Sequence, residues 1–422
     1  MNILQINISD GRGGGNKLGI SLKRGLEKYG HETSMFVSRK YSQDNNIFPI
    51  KKPSKLLKFA SSFVGKNLEN GFKKRLPYIL ANDIDLFPSS KRILKTQEFA
   101  AADIVHCHNL HSNYFQLDVI EQIAARKPLI WTFHDMWPIT AHCAHSFDGE
   151  IKKSGFFACP SLDIYPPIAW HNEKYLEYKK KHIYRNTDFH IVVPSNWLKN
   201  KVEQSFLNDK PISLIYNGID TSIFKPHSRE KVRQELNIPL DKKVVLSVIR
   251  RGQSNPWKGG VYLNQIIEYF KKNQNIIFLC LGGDKEEHID NVKSIPYVLD
   301  DSILAKYYSA ADVLVYPSIA DNCPLTVLEA HACGLPIASF ATGGIPELIG
   351  HKKTGYIAEY KNCNDLIRGL EFILELDNSK NEQMRLDATE RVRNNFTLDK
   401  MVSSYINLYK ETIDSYGDKK NN

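Results

Sequence analysis

Short apolar runs alternate with helical stretches along most of this chain, and that alternation admits few folds. Residues 3–8 form an apolar run that enters a glycine loop, Gly11-Arg12-Gly13-Gly14-Gly15. Residues 16–29 then have helical spacing, with Leu18, Leu22 and Leu26 on one face and Gly30 placed as a C-cap. The next strand is 33–37. Strand, glycine loop, helix and strand in that order make a βαβ unit, which requires a parallel sheet. Further strands are expected at 104–107, 128–133, 189–193 and 212–216, with a helix near 114–125 and Ser195 as N-cap of a short helix. From Lys243 a second series begins. Its strands fall near 244–248, 276–281, 313–316 and 337–339, alternating with helices near 258–272, 301–310 and 324–333. The fold class is α/β, in two halves joined around 195–225, with one more amphipathic helix at 398–413. Two such halves leave a cleft at the carboxyl ends of their strands, where ligands bind.

Composition narrows the class without choosing a ligand. A chain of 422 residues, 42% hydrophobic and 24% charged, is neither collagen-like, disulfide-stapled nor disordered. Its 56 basic and 47 acidic residues give a net charge of +9, which suits an anionic ligand, a nucleic acid or an acidic membrane surface. No run of 18 apolar residues is present, so no spanning helix is expected. The start, MNILQINISDGRGGG, lacks the features of a signal peptide, so a cytoplasmic chain is expected. There its seven cysteines, an odd number, would be reduced thiols without a framework. Residues 51–76 interleave eight Lys and Arg with Leu56, Leu57, Phe59, Phe63, Val64 and Leu68. This reads as a basic amphipathic helix suited to an anionic bilayer surface, or as an ordinary surface helix. Nucleic-acid binding is not expected, because no recognised module is present and the basic run is interleaved with Leu and Phe rather than with stacked aromatics.

Four motifs carry chemistry. The glycine loop lets a backbone approach a ligand at a helix N-terminus, but Asn16 breaks the dinucleotide fingerprint and no acid follows near Val37. Asp321 and Glu329 flank Pro324, expected at N1 of a helix whose Leu325 and Thr326 amides could meet a phosphate. Arg250, Arg251 and Lys258 end the strand at 244–248, where fixed cations can stabilise a departing diphosphate. His134, in Trp131-Thr-Phe-His-Asp-Met-Trp137, ends another strand and could donate to a sugar hydroxyl. Each has a plainer reading as a turn, a surface acid, a solvated basic loop or a structural histidine; for His106, His108 and His111 the structural reading is preferred. His142, Cys143, His145 and Cys159 offer zinc ligand types at irregular spacing, and Asp83-Ile-Asp85 is a weak D-x-D. Neither makes a metal site at this level.

Taken together, these motifs resemble the retaining glycosyltransferases of family 4. The carrying residues are GRGGG at 11–15, TFHD at 132–135, PSNWL at 194–198, NGID at 217–220, Lys258-Gly259, Asp321-x7-Glu329 continuing as EAHACGLPIAS, and GGIPEL at 343–348. The likeness covers nearly the whole chain and looks closest to the branch that builds bacterial surface polysaccharides. It implies the GT-B fold: two Rossmann-like domains with parallel sheets facing a central cleft, at 1–200 and 201–395, and a helix at 396–422 returning to the first. It implies that Glu329 binds the donor ribose, that Asp321 (more often Glu in the family) approaches the donor sugar, and that Lys258 with Arg251 or Arg250 binds the diphosphate. His134 would lie near the anomeric centre, with Gly13, Gly14 and Gly15 facing diphosphate and acceptor. The implied reaction transfers a sugar from a UDP- or GDP-sugar to a saccharide acceptor, lipid-linked, with retention and no metal cofactor. The enzyme would sit at the inner face of the cell membrane through 51–76. A GT-B nucleotide-sugar epimerase and a non-catalytic sugar-binding protein are the alternatives.

Overall fold

The computed structural model describes residues 1–11, 13–50, 84–85, 87–147, 149–249 and 256–421. The basic segment 51–76, Arg12, Asp83, Arg250 and Arg251 lie outside the described residues. The described chain divides into two units, Met1–Ile215 with Val402 onward, and Tyr216–Met401.

In the first unit, β1 (Asn2–Ser9), β2 (Glu32–Arg39), β3 (Ile47–Pro49), β4 (Ile104–Cys107), β5 (Leu129–Thr132), β6 (His190–Val193) and β7 (Ile212–Leu214) form one sheet. The order is β3-β2-β1-β4-β5-β6-β7, and every pairing is parallel. All four residues of β4 and of β5 are buried, so these strands read as unbroken apolar runs rather than as alternation. The helix Gly14–Lys28 follows β1 directly and buries Leu18, Leu22 and Leu26. Ser195 caps the helix Asn196–Gln204 by accepting from the Leu198 N–H at 3.1 Å.

The second unit repeats the plan. Its strands are β8 (Lys243–Val248), β9 (Ile276–Gly283), β10 (Glu287–Ile289), β11 (Val292–Pro296), β12 (Val313–Tyr316), β13 (Ile337–Phe340) and β14 (Gly355–Ala358). They run β10-β11-β9-β8-β12-β13-β14, parallel except for the antiparallel β10–β11 hairpin. In each sheet the strand order reverses beside the first strand, between β1 and β4 and between β8 and β12. Connections leave that point in opposite directions, and ligands of doubly wound sheets bind in the crevice it opens.

The unit boundaries differ from the expected 200/201 and 395/396. The strand β7 pairs with β6 through Ile191↔Ile212, so the chain belongs to the first sheet until Ile215. Ile219 then exchanges backbone hydrogen bonds with the return segment: its N–H donates to Phe396 O at 2.9 Å and its carbonyl accepts from Leu398 N at 2.9 Å. The second unit therefore begins and ends side by side. The helix Leu398–Asn421 carries the chain back into the first unit, where Tyr405 and Tyr409 are buried. The helix expected near 114–125 is confined to Val119–Ala124; Ser112 and Asn113 just before it have φ of 78° and 58°, outside helical geometry.

A buried ion pair fastens the amino ends of the second sheet. Asp312 Oδ2 accepts from Arg233 Nη2 at 2.8 Å and from the Val244 N–H at 2.7 Å, and its Oδ1 accepts from Arg229 Nη1 at 2.8 Å. Arg233 also donates from Nε to Ala310 O at 2.8 Å. This joins the helix Arg229–Glu235 to the starts of β8 and β12. Asp312→Ala strands a buried guanidinium, so it is expected to lower stability by about 3–5 kcal/mol. Urea unfolding checks this through a fall in midpoint at unchanged slope.

Candidate active site

In the second unit, loops leaving β8, β12 and β13 pack on one another through their backbones. Gly259 (φ 76°) and Gly343 (φ 54°) make this approach feasible: a Cβ on the first would collide with Pro317 O and on the second with Asp321 O. Around them, the Ile319 N–H donates to Trp257 O at 3.1 Å and the Gly344 N–H to Asn322 O at 3.0 Å. Thr342 Oγ1 donates to Ser318 O at 2.7 Å, and Asn217 Nδ2 donates to Cys323 O at 2.8 Å. The β12 loop is therefore held from three sides by segments distant in sequence.

This scaffold brings Lys258 and Asp321 together from the two strands that flank the reversal. Asp321 Oδ2 accepts from Lys258 Nζ at 2.6 Å, Tyr316 OH at 2.6 Å and Ser318 Oγ at 2.9 Å. Burial and the Asp321 charge hold the Tyr316 phenol well above its ordinary pKa, so it remains a donor. Asp321 is thus the counter-ion that fixes Lys258. Glu329, which could have been a surface acid, is only 4% exposed, and its Oε2 accepts from the buried Tyr308 OH at 3.0 Å. Pro324 sits one position earlier than expected, as N-cap with extended backbone, and the helix runs Leu325–Ala332 without a side-chain cap at its start. That end presents the amides of Leu325 and Thr326 with the positive pole of the helix.

In the first unit, the glycine loop and the β5 end also meet. A Cβ on Gly15 would lie 2.9 Å from Asn109 Nδ2 and 3.2 Å from His134 Cγ. His134 Nε2 is 3.0 Å from His108 Nδ1. Beside them Asp135 bridges His111 Nε2, at 3.1 Å, and the Trp137 N–H, at 2.9 Å. Lys180, fully buried on the helix Glu173–Arg185, donates to Trp137 O at 2.6 Å and Thr140 O at 3.0 Å, and so anchors the loop after His134. Burial lowers His134 to about 4 and His106 to about 3, so both rings are neutral at pH 7. Sequence reasoning found His134 and the glycines but missed Asn109, Lys180, Tyr316, Ser318 and Tyr308, which carry no motif signal.

The expectation of seven reduced thiols is corrected. Cys143 and Cys159 are disulfide-bonded, with Cα atoms 5.9 Å apart. The loop after Trp137 folds back on itself: the Phe157 N–H donates to Ile139 O at 2.9 Å and the Ala158 N–H to Glu150 O at 2.9 Å, which places Cys159 beside Cys143. Cys107 and Cys333 are buried thiols whose pKa burial pushes up. His142 Nδ1 meets Pro166 O at 3.0 Å, and the His145 ring stacks on Trp197. Among the described residues no three His, Cys, Asp or Glu gather as metal ligands. Asp85 accepts from Tyr175 OH at 2.7 Å.

Comparison with known proteins places the chain in a family. The model described as Glycosyltransferase Family 4 matches residues 12–223, half of the chain, and that described as Glycosyl transferases group 1 matches residues 228–391. The chain belongs to glycosyltransferase family 4. It is 25% identical over 353 residues to WcaC of Escherichia coli K12, covering 77% of this chain and 81% of that protein, whose name assigns it to colanic acid biosynthesis as a glycosyl transferase. It is 20% identical over 302 residues to D-inositol 3-phosphate glycosyltransferase of Mycobacterium bovis, covering 68% of this chain and 60% of that one. Among solved structures, sucrose-phosphate synthase from Thermosynechococcus elongatus matches with a TM-score of 0.69 at 19% identity, covering 98% and 99% of the two chains. Anabaena HepE, solved in complex with UDP-glucose, matches with a TM-score of 0.66 at 16% identity, covering 98% and 99%. These likenesses and the two doubly wound units establish the GT-B fold.

The buried histidines give stability a pH dependence with a definite sign. Burial lowers His106 and His331 to about 3, and His108 well below its ordinary 6.5. Between pH 6.5 and those values the unfolded chain binds protons that the folded chain refuses. Stability is therefore full above about pH 6.5 and falls as pH drops, each group contributing up to about 1.4 kcal/mol per pH unit. Urea midpoints at pH 7.5 and 5.5 should differ accordingly, and equal midpoints would contradict the assignment.

Proposed function

We propose that this protein is a retaining glycosyltransferase that moves a sugar from a UDP- or GDP-sugar to a lipid-linked saccharide acceptor in bacterial polysaccharide or lipopolysaccharide assembly. The observation that carries the reading is the Lys258–Asp321 pair at the reversal point of the second sheet, with Asp321 on the loop that leads into the helix Leu325–Ala332, whose N-cap Pro324 makes no side-chain cap hydrogen bond. A fixed cation and a helix N-terminus are what a diphosphate requires. In this reading Lys258, with Arg251 or Arg250, holds the diphosphate, the amides of Leu325 and Thr326 complete its cradle, and Glu329 takes the ribose hydroxyls. Asp321 acts first as counter-ion to Lys258. Gly13, Gly14 and Gly15 give the donor and acceptor close backbone approach, and a ring N–H of His134 donates to a hydroxyl of the sugar. The sugar–phosphate bond opens through an oxocarbenium-like state, the negative charge passing to the diphosphate. The acceptor oxygen attacks the same face, and the leaving phosphate takes its proton. Fixed cations neutralise that charge, so no metal cofactor enters the proposal. Supporting likenesses are the relative WcaC, named for colanic acid biosynthesis, and two proteins of similar fold: HepE, solved with UDP-glucose, and WaaG, a glycosyltransferase involved in lipopolysaccharide biosynthesis.

Lys258→Ala is expected to reduce turnover by about 10²-fold or more, with nucleoside diphosphate release as the assay. Full activity in that variant would sink the diphosphate role, and turnover abolished by EDTA and restored by Mn²⁺ would sink the metal-free proposal. Release of free nucleoside diphosphate also separates transfer from epimerisation, which releases none.

We propose further that 51–76 holds the protein on an anionic membrane surface, on its cytoplasmic side. No described helix is long and apolar enough to cross a membrane, whereas each basic residue near an anionic surface contributes about 1 kcal/mol. Exchanging Lys51, Lys52, Lys55 and Lys58 for Glu should reduce co-sedimentation with phosphatidylglycerol vesicles more than about tenfold. Unchanged co-sedimentation would remove this contact.

A further inference from the structure

The layer of rings behind His134 carries an inference that rests on the proposed role of His134 and deepens it. His108 and His134 face each other through one pair of nitrogens, Nδ1 of the former and Nε2 of the latter, 3.0 Å apart with their ring planes only 18° from parallel. One proton occupies that contact between two neutral rings, and two arrangements exist. If His134 donates from Nε2, its Nδ1 is bare, and His108, accepting at Nδ1, must carry its own proton on Nε2. If His108 donates from Nδ1, its Nε2 is bare and His134 carries its proton on Nδ1.

His108 is 1% exposed, and its Nε2 is buried and meets no hydrogen-bond partner among the described residues. The first arrangement therefore buries an N–H with no acceptor. The second buries a bare ring nitrogen, which neighbouring C–H edges can face at smaller cost. Burial also keeps both rings neutral, lowering His108 well below its ordinary range and His134 to about 4.

The ring of His108 is braced from behind. The His106 ring lies 4.1 Å from it, centroid to centroid. His106 is itself pinned at Nδ1 by Tyr409 OH and at Nε2 by Thr132 Oγ1, both at 2.7 Å. Thr132 Oγ1 is in turn 2.9 Å from Tyr405 OH. Trp131 Nε1 donates to the His108 carbonyl at 2.7 Å. The returning helix Leu398–Asn421 thus supplies two phenols to the layer on which His108 rests.

We propose that His108 is a positioning residue: its Nδ1–H donates to His134 Nε2 and so fixes His134 as the Nδ1–H tautomer, the form that the proposed donation to a sugar hydroxyl uses. His108→Phe keeps the ring and removes the donor. His108→Asn restores an N–H close to the Nδ1 position.

Two readouts test this on the full-length protein. In ¹⁵N-histidine-labelled protein, with His134 signals assigned by their loss in His134→Gln, Nδ1 should appear protonated and Nε2 bare. In the Phe variant a population with protonated Nε2 should emerge. In nucleoside-diphosphate-release assays the Phe variant should lose about 10- to 100-fold in kcat with donor KM little changed, and the Asn variant should recover most of the loss. A proton on His134 Nε2 in the unaltered protein would overturn the proposal. So would a Phe variant with tautomer and kcat unchanged. If the Phe variant does not fold, the unaltered protein's tautomer and the Asn variant still decide. An Nδ1–H tautomer in a protein that transfers no sugar would remove the proposed function and leave the His108 assignment standing.

Discussion

The reversal of strand order beside β1 and beside β8 is the constraint on which the rest of this molecule depends. A parallel strand must be followed by a crossover, and crossovers of one hand place their helices on opposite faces according to the direction taken along the sheet. Where the direction changes, two neighbouring strands send their chains apart and no segment covers the gap at their carboxyl ends. In the second unit those strands are β8 and β12, and their following loops carry Lys258 and Asp321. In the first unit they are β1 and β4, followed by the glycine loop and by His108 and Asn109. Chemistry gathers at these points because the topology leaves room there.

Room alone does not place a cation. In the second unit Lys258 is held because Asp321 is held, and Asp321 is held because Tyr316 at the end of β12 and Ser318 on its loop donate to the same carboxylate oxygen. Gly259 and Gly343 permit this through close backbone contacts that a side chain would block. The aspartate works inward here, on the lysine. In the first unit, rings and hydroxyls of β4, β5 and the returning helix pin His106, while Asp135 and Lys180 fix the loop that follows His134.

Much of this was legible in the sequence. Buried parallel strands announce themselves as unbroken apolar runs, and 104–107 and 313–316 coincide with β4 and β12 for that reason. Short motifs mark Lys258, Glu329 and His134 as candidates, and the structure sets Lys258 on Asp321, Glu329 on Tyr308 and His134 on His108. What escaped was whatever depends on which loop meets which. Tyr316 and Tyr308 are ordinary residues of a strand and a helix until the fold brings a carboxylate to each. The strand β10 is fully exposed and so has no apolar run to read. The helix Asn378–Asn395 buries only Met384, Ala388, Thr389 and Val392, too sparse a stripe for periodicity to register. An odd cysteine count argued against any disulfide, yet Cys143 and Cys159 pair because the loop between them doubles back, a property of backbone pairing that a count does not contain.

The central claim is that the Lys258–Asp321 end of the second sheet is a nucleotide-sugar site. Calorimetric titration of UDP-, GDP- and ADP-sugars into the purified protein tests it most directly. Saturable binding of a UDP- or GDP-sugar at one site per chain is expected, weakened at least about tenfold by Lys258→Ala. Binding of none of these donors, or binding indifferent to that substitution, would contradict it.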